Sequence, residues 1–216
     1  MSQKAKSFVR EIRKVVHCKY LLFLPDDYAH FKAKRWPLIL FLHGAGERGT
    51  NIALVKTHGI PKFLDQRPDF SFIVVSPQCP MDRFWENDML SSLLDEFEEK
   101  YRVDRNREYV TGLSMGGFGT WALATEYPHR FAAIAPICGG GNPYLVPRIR
   151  HLPIWAFHGA KDRVVPIRLT RELVQALRKC GGNVRFTVYR NAEHDSWTRT
   201  YENPRLYEWF LEHQSK

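Results

Sequence analysis

Four glycines surround one serine in the segment "YVTGLSMGGFGTW", which runs from residue 109 to residue 121. The serine is Ser114, and Gly112 and Gly116 complete the pattern G-x-S-x-G around it. In this pattern the serine lies on a strained turn between a strand and a helix, and bulky neighbours would collide there. Gly117 and Gly119 would let the following helix lie close to a sheet. The chemistry predicted for Ser114 is nucleophilic attack on a carbonyl carbon.

A serine hydroxyl is a weak nucleophile and needs a base that is itself oriented by a carboxylate. For this type of turn the expected chain order is Ser, then Asp or Glu, then His, each on a loop after a later strand. Asp162 follows the apolar run "IWAFHGAK", and His194 follows "RFTVYRNAE". We therefore predict that Ser114, Asp162 and His194 are the catalytic residues.

Other acids and histidines fit these roles less well. Asp195 is adjacent to His194, and a sequence neighbour points its side chain elsewhere. His158 ends an apolar run before a glycine, which favours a packing role. The remaining candidates stand in polar surroundings with no strand before them, and they are His129, His151 and His213.

Acyl transfer also requires backbone N–H donors for the developing oxyanion. One is expected from Met115, the residue after the nucleophile. The second is expected from the loop that follows "LILFLH", where Ala45 is the first choice and Gly46 the alternative. Gly44 in the same loop is expected to let the backbone approach the substrate.

The elements that would position these residues alternate between strands and helices. Apolar runs predict strands at 18–24, 38–43, 72–76, 109–113, 132–137, 154–158 and 185–189. Three- and four-residue spacing of apolar positions predicts helices at 89–101, 116–127, 167–179 and 206–213. The alternation predicts an α/β fold with a mostly parallel sheet of about seven or eight strands flanked by helices. The first one or two strands are expected to be antiparallel edge strands, and residues 1–216 are expected to form a single domain.

Charge and hydropathy restrict the partners. The net charge is +9, but the lysines and arginines are scattered without a run of five like charges, so we expect no nucleic-acid partner. The longest apolar run is Leu38–Leu42, which is too short to span a membrane, and we expect no membrane partner. The first residues lack an apolar signal core, so no secretion signal is expected in this chain. The cellular compartment and the oligomeric state stay open.

The four cysteines, Cys18, Cys79, Cys138 and Cys180, are dispersed and form no CxxC pair. This spacing argues against a zinc site, and we expect neither a metal nor another cofactor. The sequence leaves open whether two of the cysteines pair.

Several segments carry a family resemblance: "LFLHGAGERG", "VSPQCP", "YVTGLSMGGFGTW", "FAAIAPICGGG", "AFHGAKDRVVP" and "NAEHDSW". Together they resemble the α/β-hydrolase carboxylesterases of the phospholipase/carboxylesterase and dienelactone-hydrolase-like type, including feruloyl-type esterases. The resemblance covers about residues 20–210 and implies the α/β-hydrolase fold and ester hydrolysis. Ser114, Asp162 and His194 fall on the triad positions. Dienelactone hydrolases carry cysteine where this chain has Ser114, which favours a general esterase.

The short connection between the strands at 132–137 and 154–158 leaves no room for a cap domain. We therefore expect an open site for short-chain or otherwise accessible small-molecule esters. Trp85 and Trp197 are candidates to line the substrate pocket, although packing of their loops explains them equally well. Two other functions stay open. One is a serine peptidase of the prolyl-oligopeptidase type, and the other is a non-catalytic binding module on a hydrolase scaffold.

Overall fold

The structure is a computed structural model and describes residues 3–215. The strands are β1 (Lys19–Phe23), β2 (Trp36–Leu42), β3 (Ile73–Gln78), β4 (Val103–Leu113), β5 (Ala133–Ile137), β6 (Ile154–Gly159) and β7 (Val184–Tyr189). The α-helices are α1 (Asn87–Lys100), α2 (Met115–Glu126), α3 (Arg168–Lys179), α4 (Trp197–Tyr201) and α5 (Pro204–Leu211). Every predicted strand and helix is present, and the short helix α4 was not predicted.

The seven strands form one sheet in the order β1-β3-β2-β4-β5-β6-β7. Only β1 is antiparallel, to β3, and all other neighbouring pairs are parallel. The prediction that the first one or two strands are antiparallel edge strands is therefore confirmed with one such strand, β1, whereas β2 is parallel to both of its neighbours. All seven residues of β2 are buried, and this strand lies between β3 and β4. Such complete burial suits an interior parallel strand covered on both faces.

The core divides into two apolar clusters because successive side chains of a strand point to opposite faces. In β2, for example, Leu40 belongs to the cluster that contains the apolar residues of α1, α2 and α3. Its neighbour Phe41 belongs to the cluster that contains the apolar residues of α4 and α5. Helices thus cover both faces of the sheet, and the α/β-hydrolase fold predicted from the sequence is confirmed.

The parallel strands place their carboxyl ends at one edge of the sheet, where loops from several strands can meet. The connection from β5 to β6, residues 138–153, contains one short 3₁₀ turn at Val146–Ile149 and no α-helix. Among residues 3–215, no separate cap domain therefore stands above this edge. Within residues 3–215, none of the helices combines the length and the apolar character needed to cross a membrane.

Candidate active site

Ser114 stands between the end of β4 and the start of α2, with φ 53° and ψ −116°. Residues other than glycine rarely adopt a positive φ. The backbone strain of this conformation persists only where the surrounding structure enforces it. Here the Ser114 N–H donates to the carbonyl of Ile137 at 3.0 Å, and the Phe118 N–H donates to the carbonyl of Ser114 at 3.1 Å. Hydrogen bonds on both sides therefore hold the strained turn that presents the hydroxyl.

The glycines beside Ser114 are explained by close backbone contacts. A Cβ added to Gly116 would lie 1.9 Å from the carbonyl oxygen of Leu42, at the end of β2. A Cβ added to Gly112 would lie 2.4 Å from the carbonyl oxygen of Gly116. The first turn of α2 thus packs directly on the backbone of the neighbouring strand, and only glycine allows this approach.

Ser114, His194 and Asp162 form one continuous chain of hydrogen bonds. The Nε2 atom of His194 lies 2.9 Å from the Oγ atom of Ser114. The Nδ1 atom of His194 lies 2.7 Å from the Oδ2 atom of Asp162. An ionised carboxylate only accepts hydrogen bonds, so Nδ1 carries the proton and Nε2 is free to accept the serine proton. The structure therefore brings together the three residues that the sequence places far apart in the chain.

Asp162 is buried, and the backbone fixes its orientation. Its Oδ1 atom accepts hydrogen bonds from the N–H groups of Val164 and Val165, both at 2.9 Å. The other carboxylate oxygen therefore faces His194. The rival acid Asp195 has different partners, because its two oxygens accept from the N–H and the hydroxyl of Thr198. Asp195 thus stabilises the first turn of α4.

His158 also contacts Asp162, an interaction that the sequence analysis missed. Its Nε2 atom lies 2.9 Å from the carbonyl oxygen of Val165 and 3.2 Å from Oδ2 of Asp162. Both neighbours are acceptors, so Nε2 carries a proton, while Nδ1 lies 2.8 Å from the hydroxyl of Thr170. Burial lowers the pKa of His158 and favours the neutral ring. The sequence feature that could have predicted this contact is the four-residue separation of His158 and Asp162 across the end of one strand.

The predicted oxyanion donors follow two adjacent strands, β2 and β4, at the same edge of the sheet. Met115 is the first residue of α2, and N–H groups in the first turn of a helix have no partner within the helix. Ala45 begins the 3₁₀ turn Ala45–Glu47 shortly after β2, and β2 pairs with β4 through Leu42 and Gly112. The roles of Ala45 and Met115 as oxyanion donors stay predictions.

A buried histidine fixes the peptide group that contains the Ala45 N–H. The Nε2 atom of His43 accepts from the N–H of Cys79 at 3.0 Å, so Nδ1 carries the proton and donates to the carbonyl of Gly44 at 2.6 Å. This carbonyl and the Ala45 N–H belong to one planar peptide unit. Burial lowers the pKa of His43 to about 4 and keeps the ring neutral. From the sequence, His43 was placed at the end of a predicted strand and was given no role in the site.

Cys138, Asp162 and His194 place three potential metal-ligating atoms within 4.8 Å of one another. A cysteine binds a metal as thiolate, and burial raises the pKa of the Cys138 thiol to about 12. Asp162 and His194 already satisfy each other by a hydrogen bond. This chemistry favours proton transfer over metal binding at the cluster.

A family model described as phospholipase/carboxylesterase matches residues 85–205, which is more than half of the chain. The chain belongs to the phospholipase/carboxylesterase family. The matched segment contains Ser114, Asp162 and His194. The resemblance noted in the sequence is therefore confirmed.

Relatives of this family member include named esterases. It is similar to the crystal structure of a thermostable esterase, with 37% identity and a TM-score of 0.80 over 92% of this chain and 60% of that one. It is 30% identical to a bifunctional acetylxylan esterase/xylanase of Neocallimastix patriciarum over 60% of this chain and 20% of the relative. It is 29% identical to feruloyl esterase C of Emericella nidulans over 69% of this chain and 56% of the relative. The chain thus spans less than two thirds of each of these proteins.

The remaining substrate-binding candidates of this phospholipase/carboxylesterase family member occupy different environments. The ring of Trp197 meets the ring of His194 edge to face, with centroids 5.1 Å apart. Trp85 is buried beside the end of β2, and its Nε1 atom lies 3.3 Å from the carbonyl oxygen of His43. A Cβ added to Gly44 would lie 2.8 Å from Cδ1 of Leu113, so Gly44 packs closely against that side chain. Substrate contacts of Trp85, Trp197 and Gly44 stay predictions.

Proposed function

We propose that this protein is a serine carboxylic ester hydrolase that forms an acyl-enzyme on Ser114. The observation that carries the proposal is the hydrogen-bond chain from Ser114 Oγ to His194 and from His194 to Asp162, at 2.9 and 2.7 Å. The positive φ of Ser114 and membership of the phospholipase/carboxylesterase family support it.

In the proposed reaction, Ser114 Oγ attacks the ester carbonyl carbon while its proton passes to Nε2 of His194. Asp162 keeps the imidazole in the required tautomer and stabilises the imidazolium. The N–H groups of Ala45 and Met115 bind the oxyanion of the tetrahedral intermediate. The C–O bond to the alcohol then breaks, and the alcohol leaves with the proton from His194. Water repeats the sequence on the acyl-serine, which releases the acid and restores the serine.

We propose short-chain or otherwise accessible small-molecule esters as substrates, with Gly44, Trp85 and Trp197 beside the reacting group. The short connection over residues 138–153 supports an accessible site. The acetylxylan esterase and feruloyl esterase names of the relatives refer to acetyl and feruloyl esters and support a small acyl group. The proposal treats residues 1–216 as one catalytic domain.

The substitution Ser114→Ala tests the proposal. It removes only the nucleophilic oxygen, and we expect kcat/KM for p-nitrophenyl butyrate to fall by about 10⁴-fold or more. The exposed Ser92 of α1 provides the matched control, and Ser92→Ala should leave the rate unchanged. Circular dichroism should give both variants melting temperatures close to that of the wild type.

A fluorophosphonate probe and an amide substrate separate the alternatives. The probe should label Ser114 stoichiometrically and should not label the Ser114→Ala variant. A p-nitroanilide with the same acyl group should react far more slowly than the ester. Activity of Ser114→Ala within tenfold of the wild type, or labelling of another serine, contradicts the proposed nucleophile. Preference for the anilide would instead assign a peptidase.

A further inference from the structure

A basic groove of about 440 Å³ lies beside β7, and none of Ser114, Asp162 and His194 lines it. Its floor is aromatic and consists of Trp155, Phe157 and Tyr189. Its walls carry three exposed arginines, one from β7, one from α4 and one from the start of α5: Arg185, Arg199 and Arg205. Thus one surface depression gathers several of the positive charges that are scattered in the sequence.

These arginines have no acidic partner. Across residues 3–215, Arg185, Arg199 and Arg205 form no ion pair with any aspartate or glutamate. Arg130 provides the contrast, because it pairs with Asp95, Glu98 and Glu108. Three guanidinium groups against the single carboxylate of Glu202 give the groove a net positive charge that is available to an anion.

Two of the guanidinium groups are held in place by aromatic rings. The Cζ atom of Arg185 lies 3.7 Å from the ring centroid of Trp155, and that of Arg199 lies 5.0 Å from the ring centroid of Tyr189. Trp155 is fixed in turn, because its Nε1 donates to the hydroxyl of Thr187 at 2.9 Å. A stacked guanidinium keeps its N–H edges free, and these edges match the two oxygens of a carboxylate.

The spacing of the two arginines restricts the ligand. Arg185 and Tyr189 are four residues apart on β7, which corresponds to about 13 Å along the strand. A ligand that reaches both Arg185 and Arg199 must carry two separated anionic groups. The groove is therefore suited to an oligomer, and a single small anion would engage only one arginine.

The other groups in the groove distinguish a sugar chain from a nucleic acid. Because Arg185 and Arg199 cover the faces of Trp155 and Tyr189, these rings are not free to stack on nucleobases as single-stranded nucleic acids require. Glu202 also lines the groove and forms no ion pair among the described residues. A carboxylate repels a uniformly anionic backbone, but it accepts hydrogen bonds from hydroxyl groups.

We propose that this groove binds an acidic oligosaccharide. Arg185 and Arg199 bind carboxylates on separated sugars, and Glu202 accepts hydrogen bonds from sugar hydroxyls. In the sequence, Tyr189 and Arg199 lie on either side of the segment that carries His194. The binding does not depend on the proposed esterase activity, and it can be tested without turnover.

Isothermal titration calorimetry with a six-unit oligogalacturonate tests the proposal, with neutral xylohexaose as the uncharged probe. Oligogalacturonate should bind the wild type and xylohexaose should not. The double variant Arg185→Gln/Arg199→Gln should weaken binding at least tenfold. The matched control is Arg171→Gln/Arg178→Gln, which removes two exposed arginines from α3 and should change the affinity less than twofold. Arg205→Gln removes no aromatic contact and should weaken binding about threefold, so it provides a second test if the first variant is unstable.

Several results would overturn the proposal. Equal weakening in both double variants would mean that only the net charge matters. Equal binding of xylohexaose, or no detectable binding of oligogalacturonate, would remove the carboxylate-binding role. Tighter binding of a single-stranded DNA oligonucleotide that is lost with Arg185→Gln/Arg199→Gln would assign the groove to nucleic acid.

Discussion

The substitution Gly159→Ala should disable the candidate active site through the backbone, without changing any of the three proposed catalytic residues. Gly159 is the last residue of β6, and a Cβ added to it would lie 2.0 Å from the carbonyl oxygen of Glu193. The carbonyls of Glu193 and Ala192 are both within 2.6 Å of that position. Contacts shorter than 3.0 Å essentially never occur for a real Cβ, so the segment before His194 must retreat by about 1 Å.

The expected loss of activity follows from this displacement. Glu193 directly precedes His194, whose Nε2 lies 2.9 Å from Ser114 Oγ. A retreat of about 1 Å stretches this contact beyond hydrogen-bond distance, and a misplacement of about 1 Å in an active site costs about 10²-fold in rate. We therefore expect kcat/KM for p-nitrophenyl butyrate to fall about 100-fold, together with a loss of about 1–3 kcal/mol in the free energy of unfolding.

Gly141→Ala is the matched control, because the nearest atom to its added Cβ is a side-chain carbon of Trp121 at 3.2 Å. This variant should keep kcat/KM within about twofold of the wild type. The rate of labelling by a fluorophosphonate measures the nucleophile independently of substrate binding and should fall in parallel with kcat/KM. A folded Gly159→Ala protein with kcat/KM within threefold of the wild type would show that the added Cβ does not displace His194. Equal losses in both variants would point to general loosening of the fold.

Two further predictions concern the carboxylate and a buried histidine. In Asp162→Asn, the N–H groups of Val164 and Val165 retain the amide oxygen and turn the NH₂ group toward His194, which forces the wrong tautomer. We expect kcat to fall by about 10²- to 10⁴-fold, whereas Asp195→Asn should lower kcat less than threefold. If steady-state assays give the larger loss for Asp195→Asn, the role of orienting His194 belongs to Asp195. Burial lowers the pKa of His43 from 6.5 to about 4, so between these pH values the ring is protonated in the unfolded chain and neutral in the folded protein. The free energy of unfolding should therefore fall as the pH drops from 6.5 to 4, by at most about 3 kcal/mol. Urea midpoints across this range should shift in the wild type and shift less in His43→Gln, and the same slope in both proteins would contradict the assignment to His43.

The helices and strands, and the chain order of Ser114, Asp162 and His194, could be predicted from the sequence. Buried parallel strands have continuous apolar runs, so strands β2 to β6 could be predicted without any tertiary information. The turn at Ser114 could be predicted because the close contact between α2 and β2 requires a glycine at position 116. The positions of Asp162 and His194 followed from the rule that parallel strands deliver their loops to one edge. These are local or topological constraints, and each leaves a trace in residue type.

Which groups meet at that edge depends on how the strands and loops pack in three dimensions. β4 and β7 are separated by two other strands, so His194 reaches Ser114 only because its loop folds back across the sheet edge. Hydrogen bonds to this loop hold it there, including one from the Lys161 N–H to the carbonyl of Ala192 at 3.0 Å. Such contacts join residues that are distant in the chain, and no local pattern encodes them.

Three other features also depend on contacts that no local pattern encodes: the interior position of β2, the contact of His158 with Asp162, and the groove around Arg185. In each case the identity of a residue is clear from the sequence, but its neighbour is set by strand order. Arg185 is an ordinary exposed arginine by its local sequence, and it faces the ring of Trp155 because β6 and β7 are paired in register. Residue type thus follows from local physical constraints, whereas the partners of a side chain follow from the packing of the whole sheet.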